Sequence, residues 1–180
     1  MVSSMTGFGR GRAAQDGREM TVELKSVNHR YLDLSFRMPR HISFAEDTLR
    51  TALNDSLSRG HVDVYVNYRN TRSDAKEVRI DTALLGAYLK SVKAAAAELR
   101  EENDMTLSNA LRLPDVTDIV EADEDDEAVK ALTKEAVDKA IAELITARRG
   151  EGERLANDLT ERLATVDELR GKIETRAPVG

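Results

Sequence analysis

The chain has 180 residues, 41% of them hydrophobic but only 4% aromatic, with no Cys and no Trp. This excludes disulfides and thiolate metal sites and requires a core of Leu, Val, Ile and Ala. The net charge of −6 counts against a nucleic-acid partner for the molecule as a whole, and no apolar run approaches the roughly 20 residues that span a bilayer.

Met1-Val2-Ser3-Ser4 has neither the basic flank nor the apolar stretch of a signal peptide. The expectation is a cytoplasmic protein with no membrane partner. Strands are predicted over residues 4–12 and 19–27, separated by the polar turn Gln15-Asp16-Gly17-Arg18. In the second, Met20, Val22 and Leu24 face one way and Thr21, Glu23 and Lys25 the other. A third strand, Leu32 to Met38, places Leu32, Leu34, Phe36 and Met38 on one face and ends at Pro39. A helix is predicted from Phe44 to Leu57, with Ser43 as its N-cap, Glu46 three residues on, and Leu49, Leu53 and Leu57 at four-residue spacing. Arg59-Gly60 reads as its C-cap, glycine supplying the left-handed conformation.

His61 to Arg69 is the fourth predicted strand, with Val62, Val64, Val66 and Tyr68 on one face. Lys76 to Ile80 is a fifth, and Asp81 caps a helix from Thr82 to Glu101. Leu111 to Val116 breaks the helical pattern, and Glu121 to Glu127, with six acids in seven positions, reads as a solvated loop. Beyond it, Val129, Leu132, Ala136, Ile141 and Leu144, then Leu155, Leu159, Leu163, Val166, Leu169 and Ile173, recur at helical spacing. Gly150 and Gly152 interrupt that pattern, which is either one long helix with a weakened waist or two helices. A stripe of this length must pack on the front of the chain or on another subunit. The fold class is α+β: an amino-terminal antiparallel or mixed sheet with two or more packed helices, then a long helical segment. The division expected is 1–120 and 121–180.

The charge is unevenly spread. Residues 1–72 carry 11 Lys/Arg against 8 Asp/Glu, and residues 73–180 carry 16 against 25. A mildly basic front on an acidic body can hold a phosphate backbone locally. Asn28-His29-Arg30 ends a predicted strand, with Arg37, Arg40 and His41 close behind. Guanidinium forks bind phosphates bidentately, and Asn and His read base edges or sugar hydroxyls. The plainer reading of the same residues is solvated charge on a half-buried sheet. Arg59-Gly60-His61 is a second cluster. Three histidines without close spacing form a poor metal signature, and no metal ligands are assigned. Gly7-Phe8-Gly9-Arg10-Gly11 sits in a strand, where its glycines mark bulges or close approach more readily than a phosphate cradle. Glu151, Arg154, Asp158 and Arg162 fall near one helical face, an ion-pair ladder beside glycines that invite another backbone or a ligand.

Several of these segments together resemble the YicC family: Ser4-Met5-Thr6-Gly7-Phe8-Gly9-Arg10, Ser26-Val27-Asn28-His29-Arg30-Tyr31-Leu32-Asp33 and Arg59-Gly60-His61-Val62-Asp63-Val64. Glu151-Gly152 with Leu155, Asp158-Leu159, Arg162-Leu163 and Arg176-Ala177-Pro178 continue the resemblance in the same order. It implies an endoribonuclease that cleaves single-stranded RNA with a divalent metal, manganese, and assembles as a homo-oligomer, a hexamer. On that footing His29, His61 and Glu151 are the candidate catalytic groups. Asn28, Arg30, Arg37, Arg40, Arg59 and Arg154 are the candidate RNA contacts. Family members extend beyond the Arg-Ala-Pro segment into a region rich in acids, His and Asn, so the chain is expected to be a fragment without the complete active site. Two alternatives stand beside the enzyme: an RNA-binding adaptor that delivers RNA to another nuclease, and an oligomerisation module built on the helical stripe.

Overall fold

The computed structural model describes residues 4–176; Met1 to Ser3, and Ala177-Pro178 of the last resembling segment, lie outside the described residues. In chain order the elements are β1 (Gly7–Gln15), β2 (Arg18–Val27), β3 (Leu32–Arg37), a 3-10 helix (Arg40–Ala45), α1 (Glu46–Ser56) and β4 (Gly60–Asn70). They continue with β5 (Lys76–Ile80), α2 (Thr82–Leu99), α3 (Leu107–Ala110), β6 (Thr117–Glu121) and α4 (Asp126–Arg176). Contacts divide the chain into two units, Met1–Asn70 with Asp125–Gly180, and Thr71–Glu124. A boundary at 120–121 falls at the last residue of β6.

The first unit is a mixed four-stranded sheet in the order β1-β2-β4-β3. β1 and β2 form a hairpin whose two central residues, Asp16 and Gly17, have φ of 52° and 79°. Positive φ at both positions is what a tight two-residue hairpin demands, and it matches the twist of the strands. β4 pairs antiparallel with β2, and β3 pairs parallel with β4 through the crossover formed by the 3-10 helix and α1. One face of the sheet is dry. Met20, Val22 and Leu24 of β2 and Val62, Val64 and Val66 of β4 are buried there with Leu49 and Leu53 of α1 and the first half of α4.

α4 lies chiefly on β1, and the glycines of β1 make this possible. A Cβ on Gly9 would stand 2.1 Å from the Ala140 carbonyl oxygen, and one on Gly11 would stand 1.9 Å from that of Ala136. The helix backbone therefore rests directly on the strand backbone. Of the two roles the sequence left open for these glycines, close approach is the one found.

The helix predicted from Phe44 begins later. Residues 40–45 form a 3-10 turn, and α1 starts at Glu46 with Ala45 at its N-cap and no side-chain cap, so Ser43 does not cap it. α1 also ends at Ser56, with Leu57 already extended. Gly60 has a φ of 115° but opens β4, so it is not a helix cap. The acidic stretch is not a loop throughout. Glu121 ends β6, and Asp126 and Glu127 occupy the first turn of α4, where carboxylates complement the helix dipole. The Asp125 carboxylate accepts from the Ala128 amide at 3.2 Å. α4 runs unbroken through Gly150 and Gly152 as one helix of 51 residues.

The second unit packs α2 and α3 around Leu85, Ala110 and Val116 beside the antiparallel pair β5–β6. Asp81 caps α2 as expected, its carboxylate accepting from the Leu84 amide at 2.9 Å. No helix among the described residues is long and apolar enough to cross a membrane.

The glycine seat predicts opposite signs at two positions. Gly9→Ala must push α4 off β1 and should cost at least about 2–3 kcal/mol, the upper range for overpacking a tight core. Gly150→Ala meets open space in a helix interior and should stabilise by about 0.5–1 kcal/mol. Urea denaturation midpoints at constant m-value check both; equal shifts of one sign would rule out a backbone seat.

Candidate nucleic-acid interface

The sheet order determines which candidate residues meet. β2 ends at the start of β4, and β3 begins beside it, with Val27 opposite His61 and Leu32 opposite Gly60. Residues 28–31 must therefore cross the beginning of β4. The crossing is tied down by the Gly60 amide, which donates to the Tyr31 carbonyl at 3.1 Å. Asn28-His29-Arg30 and Arg59-Gly60-His61, some thirty positions apart in sequence, thus form one corner. The His29 and His61 ring centroids are 6.2 Å apart.

The two imidazoles differ. His61 Nδ1 is 2.7 Å from Asp33 Oδ2, and its Nε2 is 3.2 Å from Asp63 Oδ1. The hydrogen bond to Asp33, with Asp63 adding to it, raises the His61 pKa above the ordinary histidine value despite partial burial. As an imidazolium it donates from both nitrogens and has none free to take a proton. His29 uses only Nδ1, 3.0 Å from the Tyr31 carbonyl oxygen and 3.3 Å from its nitrogen, which leaves Nε2 without a partner among the described residues. Arg30 lies over the Tyr31 ring, 5.4 Å from its centroid.

The wet face of the sheet extends from this corner. In register across the strands it carries Arg10, Glu23, Tyr65 and Arg37, and next to them Phe8, Lys25, Asp63 and Ser35. The Tyr65 ring has Lys25 Nζ at 5.5 Å and the Arg37 guanidinium at 5.6 Å from its centroid. A hollow of about 350 Å³ lies here, lined by Arg10, Thr21, Glu23, Arg37, Tyr65 and Asn67 among others. Two cations thus lie against one aromatic ring on the solvated face of the sheet, combining a π surface with positive charge.

Not every candidate joins this surface. Arg37 stands beside Tyr65, but Arg40 begins the 3-10 helix beyond the far end of β3. It is about 25 Å of chain from the histidine corner at the usual strand rise. Glu151 and Arg154, one turn apart on α4, are occupied with each other: Nη2 to Oε1 at 2.8 Å and Nε to Oε2 at 3.1 Å. The Arg154 hydrogen bonds hold the Glu151 carboxyl below its usual pKa, so it stays ionised and is poorly suited to accept a proton. Among the described residues no three His, Asp or Glu side chains converge so as to hold a metal ion. Asp33 and Asp63 are each bonded to one nitrogen of His61.

Tyr65, Lys25 and Arg10 were not singled out by sequence, nor was Arg148. The signal for Tyr65 was present, since it alternates with Val64 and Val66 and must face away from them. Arg148 follows Ile141 and Leu144 on the buried stripe of α4, where an arginine is out of place. Its guanidinium donates to Ser26 Oγ and, at 3.1 Å, to the Arg59 carbonyl.

Comparison with known proteins identifies the family. Residues 2–157 match the family described as "Endoribonuclease YicC-like, N-terminal region". The chain belongs to this family. It is 33% identical over 174 residues to the "Probable endoribonuclease YicC" of Clostridioides difficile, an alignment covering 97% of this chain and 58% of that protein. It is also 29% identical over 178 residues to the protein of the same description from Haemophilus influenzae, covering 99% of this chain and 61% of that one. The chain thus spans about three fifths of the length of the curated YicC relatives it matches.

The His61 bridge has a definite pH signature. Because its folded pKa is raised, its contribution to stability is complete below about pH 6.5, the unfolded value. That contribution disappears as pH rises through the folded pKa. Thermal melts from pH 5.5 to 8.5 should show this loss, and Asp33→Asn should flatten it. An NMR titration placing His61 at or below the ordinary histidine value would remove the bridge from the account.

Proposed function

We propose that this chain is the RNA-engaging amino-terminal part of a cytoplasmic endoribonuclease that cleaves single-stranded RNA with a divalent metal, manganese. The observation that carries the RNA reading is that Tyr65, with Lys25 and Arg37 against its ring, shares a face of β4 with His61, whose ring meets His29 at the corner. A single strand exposes both base faces and phosphates. Tyr65 offers stacking with Lys25 and Arg37 as charge beside it, while Arg30 and Arg59 bring positive charge to the corner.

Within this reading His29 is the better proton carrier of the two corner histidines, because its Nε2 is unengaged whereas both nitrogens of His61 are held. His61, whose charged form Asp33 and Asp63 favour, holds the corner together. The residues described do not by themselves form a metal site, and no step is routed through a metal here. The apolar stripe on the second half of α4 supports self-association. Leu155, Leu159, Leu163, Val166, Leu169 and Ile173 are all exposed.

The adaptor reading draws on the pairing of Glu151 with Arg154 and the locking of His61, which leave few groups ready for chemistry. One experiment separates the two: a labelled single-stranded RNA incubated with manganese or with chelator, beside a binding titration. The enzyme reading expects metal-dependent cuts, a rate loss of at least about 10²-fold in His29→Ala with affinity intact, and Tyr65→Ala weakening binding about tenfold. Binding without cuts in either condition favours the adaptor. No binding at all would sink the RNA reading altogether.

A further inference from the structure

Behind the histidine corner, Ser4, Met5, Ser58, Arg59 and Arg148 line a hollow of about 310 Å³. Arg148 is only 8% exposed, and no carboxylate pairs with it among the described residues. Both groups that accept its hydrogen bonds, Ser26 Oγ and the Arg59 carbonyl, are neutral, and its Nε has no partner among the described residues. Burial alone disfavours the charged form of this guanidinium. The approach is built in. Gly60 has a φ of 115°, and a Cβ there would stand 2.7 Å from Arg148 Nη2, so any side chain at position 60 would displace the guanidinium.

A buried charge without a counter-ion is costly, and two neutral acceptors return only part of that cost. A purely structural bridge between β2 and the start of β4 would be served as well by a neutral donor. What the arginine adds is a positive field in a hollow whose walls carry a second arginine, two serines and no acid. The contrast with the groove between α1 and α4 is instructive. There Lys130 and Lys134 face Asp47, Asp55 and Asp138, so the charges offset one another. On a chain of net charge −6, an anion is drawn to places where positive potential is concentrated between low-dielectric walls.

We propose that the Arg148–Arg59 hollow is a phosphate-binding site, with Arg59 and the Ser58 and Ser4 groups as the contacts and Arg148 as the fixed charge behind them. The site rests on the RNA reading only for the source of its phosphate, either an internal phosphodiester or a terminal phosphate of the strand. The chain 1–180 is titrated at constant ionic strength with inorganic phosphate while the Arg148 Nε–Hε and the Ser58 and Arg59 amide signals are followed by NMR. Saturable shifts are expected, with the midpoint raised at least tenfold in Arg59→Gln. That variant keeps the carbonyl on which Arg148 rests, so it should fold even where Arg148→Met does not. Absence of saturable shifts, or an unchanged midpoint in Arg59→Gln, would overturn the site.

A second arm uses a short RNA with a 5′-phosphate and its 5′-hydroxyl twin. Movement of the hollow signals by both assigns an internal phosphodiester, and movement by the phosphorylated strand alone assigns a terminal phosphate. RNA that binds while inorganic phosphate leaves the hollow unmoved overturns this site and leaves the RNA reading standing. Phosphate that shifts these signals when neither RNA binds supports the site and removes the RNA reading.

Discussion

Strand β1 carries no side chain at Gly9 or Gly11, and the carbonyls of Ala140 and Ala136 occupy the space a Cβ would need. Helices normally stand off a sheet by the thickness of an intervening side-chain layer; here the backbones touch. The contact fixes the height and the axial position of α4 more tightly than interdigitated leucines would, because no rotamer can adjust to relieve it. Eight residues, about 12 Å, farther along the helix, Arg148 is thereby delivered to Ser26 and to the Arg59 carbonyl. Those bonds hold Gly60, the Gly60 amide holds Tyr31, and the 28–31 crossing brings His29 to His61. The geometry of the candidate site is therefore inherited, step by step, from two missing methyl groups.

The wet face of the sheet is organised by a different principle. Arg12 and Glu19 are bonded at 2.8 Å, and Arg10 approaches Glu23 at 3.6 Å. Such exposed pairs add little to stability, typically under about 1 kcal/mol. Their effect is to leave the outer half of this face near neutral. Positive charge without a carboxylate partner among the described residues then concentrates at Lys25 and Arg37 around Tyr65, and at Arg30 and Arg59 beside the histidines. A net-acidic chain can carry locally basic surface in this way, so overall charge does not describe each face of the sheet.

What could be read from the sequence was whatever depends on near neighbours in the chain. Alternation of Met20, Val22 and Leu24 marked β2, Asp16-Gly17 marked its hairpin, and Asp81 marked the start of α2. The start of α1 was misjudged because Ser43 and Glu46 satisfy the capping pattern, while the chain leaving β3 at Pro39 first tightens into a 3-10 turn. Gly60 was misassigned for a related reason. Its positive φ is found, but at the start of β4, where a Cβ would meet Arg148 Nη2, Ser26 Oγ and the Val27 carbonyl, all distant in sequence. The meeting of the two histidine clusters was illegible because it follows from β4 inserting between β2 and β3, a pairing order that alternation does not encode. Family resemblance grouped those residues without giving that physical reason.

The continuity of α4 through its glycines follows from what each half touches. Gly150 and Gly152 each cost a helix about 1 kcal/mol relative to alanine, yet the first half of α4 is held by the core from Val129 to Leu144. The second half has no such cover among the described residues. It is supported by pairs one turn apart, Arg162 with Asp158, Arg170 with Glu174 and Lys172 with Glu168, worth a few tenths of a kcal/mol each. Its six apolar residues from Leu155 to Ile173 recur on average about every 3.6 positions, the period of a straight helix. They therefore form a line parallel to the axis and do not drift round it as a 3.5-residue repeat would. The same period runs through the half that rests on the sheet. The helix thus buries one part of a straight stripe on its own sheet and leaves the remainder exposed, and its second half rests on ion pairs where its first half rests on the core.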